Sequence, residues 1–349
     1  MTLTLPVDPQ FPQPDVIARA AKCLREGGLV AFPTETVYGL GASALDPAAA
    51  TRIFVAKKRP SYDPLIVHVA AAADVKHITA GIAAAAGPLM ERFWPGPLTL
   101  VLLRGSAVPD AVTAGGSTVA VRLPAHPVAR ALIEAAGVPV AAPSANLFSR
   151  PSPTTAAHVL ADLNGRIDMV LDGGPAEVGV ESTVLDLTSD PPCILRPGAV
   201  TIEMLRRLLP SVVAGQGNAR RGPAASPGLL DTHYAPRTPL TIFIGQPDSR
   251  RAHMLDLVSS AVAQGERVGA LVSKEDSASF LAAGATVAVL SAEGDLPAAA
   301  RRLYACLRKL DDADLSRIIG TAIPADERLG AALADRLMRA ASGRIVTVN

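Results

Sequence analysis

Cysteine and aromatic side chains are scarce in this chain, and each scarcity excludes something. The three cysteines, Cys23, Cys193 and Cys306, stand far apart and in no Cys-x-x-Cys pairing, which argues against a disulfide framework and a zinc site and fits a reducing compartment. Aromatic residues make up 3% of the chain against 49% hydrophobic residues in all, so its cores must be built from Ala, Val, Leu and Ile. No apolar run approaches the length of about 18 residues that a transmembrane helix needs. The segment 1–13 has neither the basic region nor the apolar core of a signal peptide. A cytoplasmic protein with no membrane contact is expected. Charge of one sign is also missing: 33 Lys and Arg balance 32 Asp and Glu, for a formal net charge of +1. There is thus no global attraction to nucleic acid or an anionic membrane, and any polyanion must be held by a local cluster. The phosphate cradle Gly-x-x-x-x-Gly-Lys-Ser/Thr, the Gly-x-Ser-x-Gly elbow and His-Glu-x-x-His are absent, and the six histidines show no metal-ligand spacing.

At 349 residues two domains are expected. Residues 1–211 mix strand and helix patterns irregularly, as in an α/β or α+β fold with a mixed sheet. Helices are predicted from Asp15 to Glu26, where apolar residues recur at helical spacing before Gly27-Gly28, and from Pro47 to Lys57. Short strands are predicted at Leu29–Phe32, Leu65–Val69, Leu98–Leu103, Val119–Arg122 and Val138–Ala141, with an Ala-rich helical segment ending at Phe93. Residues 212–239, rich in Gly, Ala, Ser, Arg and Pro, read as a linker long enough to be functional. From 240 to 349 strands and helices alternate regularly, predicting a small parallel α/β domain. It has no dinucleotide fingerprint and is expected to serve as a regulatory, docking or lid domain.

The chemistry concentrates in polar loops that follow short apolar strands. Pro33-Thr34-Glu35-Thr36-Val37-Tyr38-Gly39-Leu40-Gly41 offers hydroxyls beside a carboxylate and a phenol, with glycines that let main chain approach a ligand. Lys57-Lys58-Arg59-Pro60 is either a solvated helix end favoured by the macrodipole or a cation cluster facing an anion. Arg122 and Arg196 are single charges in apolar surroundings, a placement that points to pairing or to a ligand. A guanidinium suits forked contact with carboxylate or phosphate. Ala141-Ala142-Pro143-Ser144-Ala145-Asn146 and Ser152 precede a helix expected near Thr155, where hydroxyls and N–H groups make an anion site or an ordinary cap. Gly179-Val180-Glu181-Ser182-Thr183 places another hydroxyl where a strand opens.

Together with Trp94-Pro95-Gly96-Pro97-Leu98-Thr99, Val121-Arg122-Leu123-Pro124, Arg196-Pro197-Gly198, Ser226-Pro227-Gly228 and His233-Tyr234-Ala235-Pro236, these stretches resemble the YrdC/Sua5 family in its long, Sua5 form. The resemblance covers nearly the whole chain. It implies a YrdC-like twisted mixed-sheet catalytic domain, a linker that closes over the active site, and a Rossmann-like C-terminal domain. It further implies synthesis of L-threonylcarbamoyladenylate and diphosphate from L-threonine, bicarbonate or CO2, and ATP with Mg2+. The product would pass to a tRNA threonylcarbamoyltransferase for modification of adenosine 37 of tRNA; direct tRNA binding by this chain is left open. By the same resemblance Thr36, His68, Arg122, Ser182 and main chain at Ala142 contact threonine. Lys57, Arg59, Asp63, Thr118, Ser144, Ser152, Arg196 and Tyr234 hold ATP, with no acid or base catalyst and with positioning by Lys57, Arg59 and Arg122. Two positions depart from the family pattern: Asp63 stands where Asn is usual, and Ser149 where Gly is usual. The alternatives are a carbamoyl-adenylate-forming carbamoyltransferase, which would carry zinc-finger cysteines, and an RNA-binding or ribosome-associated module using Lys57 to Arg59, which would bind RNA in a salt-sensitive way without ATP turnover.

Overall fold

The computed structural model describes residues 1–215, 233–325 and 329–348. The chain divides into two compact units, Met1–Phe148 with Ser152–Leu229, and Ser149–Pro151 with Leu230–Asn349. The greater part of the expected linker, including Ser226-Pro227-Gly228, lies outside the described residues. Its first residues do not: Val213 and Ala214 form a short strand paired with Cys193 and Ile194 in the first unit.

In the first unit the strands are β1 (Leu3–Pro6), β2 (Val30–Phe32), β3 (Gly39–Ser43), β4 (Ile66–His68), β5 (Leu98–Leu103), β6 (Thr118–Arg122), β7 (Val140–Ala141), β8 (Met169–Asp172), β9 (Thr183–Asp186), β10 (Cys193–Arg196) and β11 (Val213–Ala214). They form a mixed sheet in the order β1-β8-β2-β3-β7-β4-β6-β5-β9-β10-β11. Its helices include α1 (Pro14–Arg25) and α2 (Pro47–Lys57). Helix α1 buries Ile17, Ala20, Ala21 and Leu24, the apolar stripe its sequence predicts. Helix α2 begins where the Asp46 carboxylate accepts hydrogen bonds from the N–H groups of Ala48 and Ala49, with Pro47 at the first turn. It ends at Lys58 in a left-handed conformation.

Further elements of this unit depart from the sequence reading. Gly39-Leu40-Gly41, read as the end of a polar loop, belongs to the strand Gly39–Ser43 paired antiparallel with β2, so the loop proper is the hairpin connection from Pro33 to Tyr38. Gly41 is a packing requirement there: a Cβ on it would lie 2.8 Å from both the Phe32 ring and Val140. The Ala-rich segment before Phe93 is broken into a 3-10 turn, Ala72–His77, and a short helix, Ala86–Phe93. Leu3–Pro6, too short to show a period, is a strand beside Met169–Asp172.

Alternation along the central strands separates two faces. On one, Val67, Val119, Val121, Leu98, Leu100 and Leu185 join the main core. On the other, Ile66, Val101, Ala120 and Val184 form a small apolar floor. Register continues that floor into polar groups: His68 pairs with Arg122 across β4 and β6, and Thr99 pairs with Val184 across β5 and β9. The face that ends the apolar floor is therefore the face that carries Arg122.

The second unit is an all-parallel five-stranded sheet, in agreement with the alternating pattern of its sequence. A C-terminal strand, Ile345–Val348, pairs with Leu240–Gly245 at its edge, an element the sequence reading omitted. Phe243, Met254, Val258, Val268, Ala270 and Phe280 are buried in its core.

Candidate functional site

Arg122 ends β6 nearly buried, with three protein partners. Its Nε donates to the Gly96 carbonyl (3.2 Å), Nη1 donates to Thr36 Oγ1 (3.0 Å), and Nη2 lies 2.7 Å from Glu35 Oε1. The side chains of this ion pair are 5% and 6% exposed, so the charge of Arg122 is compensated inside the protein. The hairpin loop is itself braced. Thr34 Oγ1 donates to the Val37 carbonyl (2.6 Å) and lies 2.9 Å from Thr36 Oγ1, while the Thr36 carbonyl accepts from Gly179 N–H (3.0 Å). Tyr38 holds the hairpin in place, since its phenol donates to the Gly174 carbonyl (2.6 Å), and burial pushes its pKa up.

Beside Arg122, His68 is buried, with its pKa driven down to about 3 by burial and by the Arg122 charge. It is a neutral imidazole at physiological pH. Its Nδ1 has no hydrogen-bond partner among the described residues, so it presents a polar atom without a positive charge. Ser182, fully buried at the start of β9, completes this row. Its Oγ lies 2.8 Å from Thr99 Oγ1 and accepts from Arg196 Nη2 (3.1 Å), and its carbonyl accepts from Arg196 Nε (3.1 Å). Gly198 explains the end of the Arg196-Pro197-Gly198 motif: a Cβ there would lie 2.3 Å from the Thr183 nitrogen.

Arg196 leads to a second group, of cations. Arg59 donates through Nε to the Asp63 carbonyl (3.1 Å) and through Nη2 to the Pro64 carbonyl (2.9 Å), and it pairs with the Asp63 carboxylate at 2.8 Å. Burial pushes the Asp63 carboxyl up, opposed by the neighbouring charges of Arg59, Lys57 and Arg196. All three cations therefore act on one buried carboxylate. Lys57, almost fully buried, donates to the carbonyls of Ser144 and Asn146. It ties helix α2 to the loop after β7, which Gly39 also pairs with at Ser144. Ser152 donates to Glu181 Oε1 (2.5 Å), linking that loop's far end to the segment before Ser182.

Of the residues singled out from sequence, Thr36, His68, Arg122 and Ser182 thus form one row, and Lys57, Arg59, Asp63, Ser144 and Arg196 one cation cluster, joined through the Ser182–Arg196 contact. At Ala142 the main-chain N–H is committed to the Ile66 carbonyl (2.8 Å). Thr118 shares the face of Arg122 but stands four residues earlier on β6, about 13 Å away along the strand. Tyr234 lies in the second unit with a left-handed φ of 62°. There its buried ring sits 5.6 Å from Tyr304, with the Arg336 guanidinium 5.3 Å from its centroid. Among the described residues no group of three or more His, Cys, Asp or Glu could hold a metal ion, and no helix is long and apolar enough to cross a membrane.

Sequence reading missed the roles of Glu35, Thr99 and Glu181, whose partners lie far off in the chain. For Thr99 a signal was available, since it is the one polar residue in the strand Leu98–Leu103.

Comparison with known proteins bears on this arrangement. The Sua5, YciO and YrdC family model, described as telomere recombination, matches residues 22–198. A second model, described as the C-terminal domain of threonylcarbamoyl-AMP synthase, matches residues 200–342. The chain is 44% identical over 332 residues to threonylcarbamoyl-AMP synthase of Bacillus subtilis, covering 95% of this chain and 94% of the relative. The chain belongs to the Sua5 family. The threonylcarbamoyl-AMP synthase of Pyrococcus abyssi is 41% identical over 339 residues, covering 94% of this chain and 95% of that relative. The crystal structure of Pyrococcus abyssi Sua5 complexed with L-threonine superposes with a TM-score of 0.93 and 39% identity, covering 100% of each chain. Membership in the Sua5 family thus extends through both units and the segment between them.

Proposed function

We infer that this chain is an L-threonylcarbamoyladenylate synthase, a nucleotidyltransferase that joins L-threonine, bicarbonate or CO2, and ATP and releases diphosphate, in the service of tRNA modification. The observation that carries the reading is the junction at Ser182, where a row of groups suited to an amino acid touches a cluster of cations suited to phosphates.

The amino-acid subsite is Thr36, His68, Arg122, Ser182 and main chain near Ala142, with Arg122 aimed at the carboxylate. The nucleotide subsite is Lys57, Arg59, Asp63, Ser144, Ser152 and Arg196, with Thr118 reached along the sheet face. Threonine's amine adds to CO2 or bicarbonate to give a carbamate, and a carbamate oxygen attacks the α-phosphorus of ATP while diphosphate leaves. The carbamate is already anionic, so this step calls for alignment and charge neutralisation and not for a general base. His68, with its depressed pKa, fits that scheme as a neutral hydrogen-bonding group. Mg2+ enters with the ATP phosphates, and we assign no side chain to the ion. Closure of the linker would keep water from the labile mixed anhydride, and a tRNA threonylcarbamoyltransferase would consume it.

Incubation with ATP, labelled bicarbonate and L-threonine tests the reading. Mass analysis should find an adenylate carrying both the label and threonine. Diphosphate release that does not depend on threonine, or RNA binding without any turnover, would overturn it.

A further inference from the structure

The Trp94–Thr99 segment has no role in the reaction as derived so far, yet it touches two of the proposed threonine contacts. The Gly96 carbonyl accepts from Arg122 Nε (3.2 Å), and Thr99 Oγ1 lies 2.8 Å from Ser182 Oγ. The segment is anchored to what it serves: Gly96 N–H donates to the Leu123 carbonyl (2.8 Å), and the Pro97 carbonyl accepts from Thr183 N–H (3.0 Å). The Trp94 indole donates to the Leu98 carbonyl (2.7 Å), closing the turn on itself.

Hydrogen-bond accounting gives the Thr99–Ser182 contact a direction. A hydroxyl has one hydrogen and two acceptor lone pairs, and a guanidinium can only donate. Ser182 Oγ therefore accepts from Arg196. If it also gave its hydrogen to Thr99, the hydrogen of Thr99, a fully buried residue, would have no acceptor among the described residues, and leaving a buried donor unsatisfied is costly. The favoured arrangement has Thr99 donating. Ser182 then accepts twice, and its own hydrogen is left to donate to a ligand.

We propose that Trp94–Thr99 is the positioning element of the amino-acid subsite, in which Gly96 aims Arg122 and Thr99 fixes the Ser182 hydroxyl as a donor toward an oxygen of the amino-acid substrate. This rests on the function proposed above. Thr99 acts through Ser182, and its hydroxyl on a single face of β5 is the feature that selects a substrate presenting acceptor oxygens there.

The test is steady-state diphosphate release by the full chain with threonine and ATP varied in turn. Thr99→Val keeps the shape and removes the hydroxyl. Its KM for threonine should rise about 2- to 12-fold, the equivalent of one hydrogen bond, with KM for ATP within twofold of wild type. Thr99→Ser should restore the wild-type KM, and Thr99→Val should add nothing in a Ser182→Ala background. Thr99→Ala, read in the same way, serves if valine lowers the melting temperature below that of the assay. An unchanged KM for threonine, an equal rise for both substrates, or additive losses with Ser182→Ala would overturn the proposal. Wild-type protein with no threonine-dependent release would instead overturn the function on which it rests.

Discussion

Around Arg122 one guanidinium faces one buried carboxylate, Glu35, whereas Arg59, Lys57 and Arg196 all act on the buried carboxylate of Asp63. The first group is balanced by one ion pair, and the second gathers several cations. An amino acid reaches its site as a zwitterion, so a balanced site can orient it by hydrogen bonds without stranding a charge. A nucleotide brings its phosphates, and a site where several cations gather suits them.

The largest expected effect comes from breaking the balanced side. Arg122→Ala should abolish threonine-dependent diphosphate release, and near wild-type turnover would contradict its role. The same change leaves Glu35 buried without its cation, so unfolding by denaturant should show a loss of about 3–5 kcal/mol. Among the gathered cations the sign reverses. Asp63→Asn removes a negative charge on which Arg59, Lys57 and Arg196 act while keeping a side chain that can accept from Arg59. Nucleotide affinity should rise several-fold with KM for threonine unchanged, and weaker nucleotide binding would show that Asp63 contributes a contact of its own.

The third prediction concerns pH. His68 has a folded pKa of about 3 against its ordinary value of 6.5. Between those values the unfolded chain binds the proton and the folded chain does not, so stability should fall as pH drops through that window. A His68→Asn variant should show a shallower loss over the same range by thermal melting, and an identical slope would mean that other groups dominate. The smallest effect belongs to Ser149, whose φ of 66° is left-handed. Ser149→Gly relieves that conformation but adds freedom to the unfolded chain, for a net gain of about 0.5 kcal/mol. A clear destabilisation would show that the serine side chain contributes a contact.

The two subsites were unequally legible in the sequence. Arg122 and Arg196 stand out because a single charge in an apolar stretch demands a partner, and both proved buried and bonded. The second unit announced its parallel sheet by regular alternation. What stayed hidden was pairing across distance. Nothing near Glu35 indicates Arg122, and nothing near Ser152 indicates Glu181, because both contacts depend on how strands are ordered in the sheet. Gly41 misled for a physical reason: glycine reads as loop, yet here it makes room for Phe32 and Val140. The departure at Ser149 was visible as a residue, but its left-handed backbone was not.

Calorimetric titration of wild type, Arg122→Ala and Arg59→Ala with L-threonine and, separately, with a non-hydrolysable ATP analogue tests the division most directly. The account predicts a crossed result: Arg122→Ala loses threonine and keeps the nucleotide, and Arg59→Ala loses the nucleotide and keeps threonine. Loss of both ligands in each folded variant would contradict it.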